Sequence, residues 1–265
     1  MSIRDKIEAS IFSLFLGMAI LSARVADPSY DSDILWSLAI GKWIDFHHTF
    51  PVVDSFSWTI NGKEWMTHEW AYSFLAYKIN EAFGSLGIYI LALIPMVISI
   101  YFLYLMAKSY DENKSYAYLL ALTIGVVLVY FVSLPFRAYI FALLFVTLLL
   151  YLLYFKEEKK YDYLLYVALF TFWANFQVSV FIGVAILMAE MTREFILFPN
   201  KRRRIVSVAI LSVLSTFINP YGYKLWSYFV FVTTNMRDHR LIQEWQAVDF
   251  NEPWVLFLYC GTAAA

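Results

Sequence analysis

The residues in this chain best equipped for chemistry are carboxylates set beside apolar sequence. Asp31 and Asp33 stand one residue apart in the stretch DSDILW, just past the first long apolar run. A carboxylate near lipid is costly unless it meets water or takes part in chemistry. The two are therefore candidates for a general base or for cation ligands. His68 and Glu69 form a second acid-bearing pair, but position 72 is Tyr72, so the zinc-protease pattern HExxH is not completed. A metal held by His47, His48, His68 and nearby acids is a further option on ligand type alone. Asp54, Arg137, Asn175, Gln177, Glu244 and Trp245 add polar groups at loops and segment ends. Each also has a plain structural reading. An acid before an apolar run caps a helix or sits well in its first turn. An arginine at a helix end snorkels to lipid phosphates, and Asn219-Pro220 ends a helix.

The elements that must position these groups follow from composition. Of 265 residues, 61% are hydrophobic, 20% aromatic and only 15% charged, against about 25% charged in an average soluble domain. Apolar stretches near the roughly 20-residue bilayer length recur at about 9–25, 86–107, 116–134, 138–155, 162–175, 178–192 and 205–219, and another begins near 254. The expected fold is an all-α polytopic integral membrane protein. The stretches 162–175 and 178–192 are nearly continuous and read either as a tight hairpin or as one broken helix. Residues 1–26 read as an uncleaved first membrane helix, because Arg24 spoils a small-x-small cleavage site. The apolar stretch that begins near 254 stops at CGTAAA, which implies a C-terminally truncated fragment of a longer protein. A net charge of −1 leaves no basic footprint for nucleic acid, and the single Cys260 forms no internal disulfide.

Orientation follows from the basic loops. Residues 193–204 hold Arg193, Lys201, Arg202, Arg203 and Arg204 against Glu194, and KEEKK occupies 156–160. The positive-inside rule places both in the cytoplasm and, counting back, the N-terminus as well. Residues 26–85 then form a long, acidic extracytoplasmic loop containing Trp36, Trp43, Trp58, Trp65 and Trp70. Two amphipathic interfacial helices are expected in it. The first covers 32–47, with Trp36, Ile40, Trp43 and Ile44 on one side; the second covers 68–83, with Thr67 as N-cap. Between them FPVVDSFSWTINGKEW reads as a short hairpin turning at Asn61-Gly62. Arg137, Asn175, Gln177, the Asn219-Pro220-Tyr221 stretch, His239, Arg240, Glu244 and Trp245 all fall on the same side as Asp31 and Asp33. Several loops thus deliver polar groups to one aqueous face, as a site at the membrane surface requires.

Taken in order, these motifs resemble a family of bacterial and archaeal membrane proteins grouped with the C-type (GT-C) glycosyltransferases. The pattern in that family is roughly D-P-D-x-W-W-H-L-x-x-G, then P-x-x-D-x-F-S-x-T, then G-x-x-W-x-x-H-E-W. The matching residues are Asp31, Asp33, Trp36, Leu38 and Gly41, then Pro51, Asp54, Phe56, Ser57 and Thr59, then Gly62, Trp65, His68, Glu69 and Trp70. Downstream, Arg137 fits an Arg-Pro pair in which Ala138 replaces the proline, and WANFQ fits W-x-N-x-H with Gln177 for histidine. NPYG at 219–222 and Glu244-Trp245 also fit, whereas Ser37 replaces a histidine of the family.

The resemblance implies a GT-C-like enzyme in the plasma (inner) membrane of a prokaryote. Its donor would be a polyprenyl-phosphate-linked sugar and its acceptor a glycan, lipid or protein. An acid of the first outer loop, Asp33 or Asp31 with Glu69 nearby, would act as general base. Arg137, His68, Asp54, Asn175, Gln177, Glu244 and Trp245 would contact donor or substrate. The leaving phosphate would be met by Arg137 or by a divalent metal, Mg or Mn, on Asp31 and Asp33. Two other classes compete: a lipid or solute transporter or flippase, and a non-catalytic scaffold for envelope assembly. The substitutions at Ser37 and Gln177 suit the scaffold, whereas a transporter calls for ionisable groups near the bilayer midplane.

Overall fold

A computed structural model of the chain describes residues 32–110, 136–155 and 161–235. The apolar stretches expected at 9–25, 116–134 and from 254 lie outside the described residues, as do the 156–160 loop, Asp31, His239, Arg240, Glu244 and Trp245. The described residues form seven α-helices and no strand. They are α1 (Ser32–His47), α2 (Trp70–Tyr110), α3 (Ile140–Tyr154), α4 (Tyr163–Phe176), α5 (Val180–Leu197), α6 (Arg202–Ser215) and α7 (Lys224–Thr234). The chain divides into two compact units after Gly222, and α7 belongs to the second.

The helix expected over 32–47 is α1, with Ile40 and Ile44 of the expected face buried and the buried face rotated away from Trp36. Ile34, Ser37, Ile40, Gly41 and Ile44 point inward, while Trp36 is exposed. Gly41 decides this. A methyl there would run into the Ser73 carbonyl oxygen and the Tyr77 Cβ of α2, so only glycine lets the two backbones approach so closely. One apolar face of α1 is thus covered by α2, while Leu35, Trp36 and Phe46 remain exposed.

The expected helix at 68–83 and membrane segment at 86–107 are the two halves of α2, divided where the backbone of Gly84 leaves the helical region (φ 59°, ψ −152°). That backbone conformation is one only glycine adopts readily. The helix starts at Trp70, two residues later than expected, and its first turn closes with the Ser73 N–H on the Glu69 carbonyl at 3.0 Å.

Trp70–Met106 is long and apolar enough to cross a membrane, and it is the one such helix among the described residues. Helices α3 and α4 are apolar but only 15 and 14 residues long, short of the roughly 20 that span a hydrocarbon core. The spans expected at 138–155 and 162–175 therefore emerge as short apolar helices.

Helices α2 to α6 pack together through their apolar faces. Trp173, Phe170, Leu149 and Leu187 are fully enclosed, and the Phe145 and Trp173 rings stack with centroids 5.5 Å apart. The junction of α4 and α5 is a tight hairpin, because the Trp173 ring lies directly against Gly183. A single broken helix would hold those residues about 15 Å apart.

Contacts sort the helix ends into two groups. At one end the Tyr154 hydroxyl donates to Glu190 (2.9 Å), the Tyr166 hydroxyl donates to the Leu152 carbonyl (3.0 Å), and Arg204 lies 3.6 Å from Asp162. At the other, Asp33 meets Arg137, Trp70 meets Asn175, Asn175 meets Ile218, and Tyr221 meets Pro51.

Helix α7 was not expected; the sequence after 219 reads as loop. KLWSYFVFVTT is rich in aromatic and β-branched residues that suit a strand as well as a helix. Thr233 and Thr234 turn their hydroxyls back onto the Phe229 and Val230 carbonyls, 2.9 and 2.7 Å away.

Candidate functional site

Asp33 lies in the first turn of α1, and the structure brings it to Arg137. Its Oδ2 is 2.5 Å from the guanidinium Nε. The Nε–H does not point along that line, so the contact is a charge pair rather than an aligned hydrogen bond. The Asp33 side chain is 49% exposed and that of Arg137 31%. The Nε at the contact is itself buried, while the rest of both side chains reaches water; pairs exposed to this degree contribute at most about 1 kcal/mol.

The positions of the two charges are set by their surroundings. Arg137 follows the buried Phe136, whose carbonyl accepts the Tyr72 hydroxyl and whose ring stands edge-on to Tyr89, centroids 5.2 Å apart. The chain then turns into α3 through the Ile140 N–H on the Arg137 carbonyl (3.2 Å) and the Phe141 N–H on Ala138 (3.0 Å). Asp33 is held by the seating of α1 on α2, with Ser37 buried one turn further on. Tyr72 is the residue that sequence reasoning missed. It registers there only as the side chain that breaks HExxH, yet it ties the start of α2 to the segment carrying Arg137.

The loop beside the pair is built around Asp54. Its Oδ1 accepts the Phe56 N–H (2.7 Å) and the Ser57 N–H (2.8 Å), and its Oδ2 accepts the Ser57 hydroxyl (2.5 Å). The Ser57 hydroxyl, above all, holds the carboxyl below its ordinary range, against the opposing pull of burial; the two backbone donors add to the lowering. The carboxylate is 2% exposed, covered by its own loop rather than sunk in a deep interior. Asp54 thus organises the loop in which it lies.

The expected hairpin reduces to one antiparallel bridge, Val53 with Glu64, turning through Gly62 at φ 78°. The Asp54 turn diverts the chain, and Phe56 and Trp65 pack on Trp36 instead of extending a ladder. The three rings stand edge-to-face at 5.3, 5.7 and 6.0 Å. Trp58, at the outer side of the loop, is 96% exposed.

Other expected site residues among those described have partners within the fold. His68 Nε2 lies 3.4 Å from Glu69 Oε1, both partly exposed. The Asn175 carbonyl oxygen accepts the Trp70 indole N–H (2.8 Å), and its amide donates to the Thr171 and Ile218 carbonyls, each at 2.7 Å. The Gln177 side chain accepts the Ser179 N–H, an end cap of the α4–α5 turn. Tyr221 donates to the Pro51 carbonyl (3.0 Å) and accepts the Thr67 N–H, and burial pushes its hydroxyl up to about 12.

His47 stacks on Trp43, with centroids 4.1 Å apart. Among the described residues, no group of three or more His, Cys, Asp or Glu stands close enough to hold a metal ion. Of the expected Asp31–Asp33 ligand pair only Asp33 is described, and the cation facing it is Arg137.

No family model matches the chain, and neither a curated protein nor a solved structure is similar to it. What the fold and the site define is a helical protein with one membrane-length helix among the described residues and a partly exposed acid–guanidinium pair at one end of its bundle.

Proposed function

We propose that the chain is a membrane glycosyltransferase, GT-C-like, that moves a sugar from a polyprenyl-phosphate-linked donor to an acceptor hydroxyl at the extracytoplasmic face. The observation that carries this reading is the Asp33–Arg137 pair, a base and a phosphate-binding cation in contact and partly exposed. The segregation of helix ends supports a multi-pass arrangement. Arg193 and Arg202–Arg204 gather at the end that would face the cytoplasm, and the acid-bearing 32–69 region gathers at the other.

The donor phosphate takes the place of Asp33 on the guanidinium. The released carboxylate then accepts the proton of the acceptor hydroxyl. The acceptor oxygen bonds to the anomeric carbon as the bond from that carbon to the phosphate oxygen breaks. The electron pair leaves with the lipid phosphate, whose added charge Arg137 meets.

The observation favouring a transporter is Glu190, a buried carboxylate within α5. It accepts from Tyr154, the last residue of α3, and from Arg193. Its partners thus belong to the basic end rather than to the centre of the bundle.

Native mass spectrometry of the gently extracted full-length chain, with polyprenyl phosphate added, tests the reading. A retained adduct that weakens with Arg137→Ala, together with loss of sugar transfer in Asp33→Asn, supports it. Retention of bulk phospholipid alone rejects it.

A further inference from the structure

We propose that the corner between α5 and α6 docks on the anionic phospholipid headgroups of the bilayer leaflet it faces. The proposal rests on the membrane reading of the chain and not on its transferase activity.

Two features coincide at this corner. The end of α5 and the residue after it expose an unbroken apolar run, Phe195 to Phe198, with Ile196 at 66% and Leu197 at 56%. Directly after it comes a basic run, Lys201 to Arg204. The Arg202 guanidinium lies over the Phe195 ring at 4.7 Å, and its Nε donates to the Phe195 carbonyl (3.1 Å), so apolar and basic parts form one surface.

The basic run stands where helix energetics disfavour it. Arg202, Arg203 and Arg204 fill the first turn of α6, which contains no acid. The positive end of the helix dipole opposes cations there. Among the described residues Arg193 is set against Glu190 and Arg204 against Asp162, and Glu194 is the one acid within 193–204. An anionic surface supplies further negative charge, and an apolar run beneath it enters the acyl boundary. A zwitterionic surface supplies only the second. Charge complementarity therefore selects anionic lipid over any neutral cover.

The full-length chain is equilibrated with equal amounts of phosphatidylglycerol and phosphatidylcholine, and retained lipid is read by native mass spectrometry. Phosphatidylglycerol should dominate. Changing Arg202→Gln together with Arg203→Gln should cut that preference by about tenfold, and Arg202→Lys with Arg203→Lys should keep it. Rising salt should erode the preference in the unaltered chain. Equal retention of the two lipids, or a preference indifferent both to the Gln changes and to salt, overturns the proposal. Polyprenyl phosphate retention and its response to Arg137→Ala come from the same spectra. Their failure would reject the transferase reading and leave this surface standing.

Discussion

Replacing Asp54 by Ala should unfasten the 52–65 loop. The side chain accepts three hydrogen bonds, from the Phe56 N–H, the Ser57 N–H and the Ser57 hydroxyl. At about 1 kcal/mol net for each bond, and more where the acceptor is charged, the loss is about 3 kcal/mol. That corresponds to about a hundredfold rise in the population of opened loop. Amide hydrogen exchange reads it directly. Gly62 donates to the Asp54 carbonyl (2.7 Å) and Trp65 to Val52 (3.0 Å), so both amides should lose protection in Asp54→Ala. Ser57→Ala removes one of the three bonds and should open the loop about fivefold. Added to Asp54→Ala it should contribute little more, because the two share that bond. Acid should do the same work. The folded carboxyl is held below its ordinary value of 3.8, so its stabilisation is complete above that value and is lost as pH falls through the lowered one. Unchanged exchange at Gly62 and Trp65 in Asp54→Ala would refute the loop-forming role.

Tyr221→Phe should cost about 1 kcal/mol in thermal melts by leaving the Pro51 carbonyl and the Thr67 N–H without their shared hydroxyl. With Tyr221 raised to about 12 in the folded state, its contribution is complete below the ordinary value of 10.0 and fades as pH rises through about 12. An alkaline loss equally large in Tyr221→Phe would discount it. Gly41→Ala gains about 1 kcal/mol in helix propensity, but its methyl meets the Ser73 backbone, which cannot swing aside. Overpacking of that kind typically costs about 1–3 kcal/mol, so a lower melting temperature is expected, and an unchanged or higher one would contradict the close seating of α1. Trp70→Phe keeps an aromatic ring against Phe50 but removes the indole N–H donated to Asn175 together with the pyrrole part of the ring. A loss of about 1 kcal/mol is expected, and a melt matching the unaltered chain would show that the brace carries no weight.

Several elements are legible in short-range sequence pattern alone. The helical spacing of apolar residues places a helix over 32–47, where α1 stands. Asn61-Gly62 marks the turn that Gly62 makes at positive φ. Greasy composition marks the helix that becomes Trp70–Met106. The Asp54 loop is legible in principle, since a serine three residues after an aspartate is a local hydrogen-bonding signal. All of these depend on contacts within a few residues, which a linear pattern records.

What the tertiary structure decided is which faces and charges meet. The period of α1 was readable, but its buried face turned from Trp36 and Trp43 to Ser37 and Gly41, because Gly41 nests on Ser73 of another helix. The two helical stretches expected at 68–83 and 86–107 both stand, and only the fold shows that they run on through a bend at Gly84. The segment expected at 162–175 matches α4 to within a residue at each end, whereas α3 is shorter than the expected 138–155, because hydropathy does not say where the backbone leaves its helix. Asp33 and Arg137 each had a bland reading alone; their contact, braced by Tyr72 on the Phe136 carbonyl, is what makes them one site. Residues far apart in sequence meet only after loop closure and packing have chosen among many pairings, and a pattern with a period of a few residues carries no record of that choice.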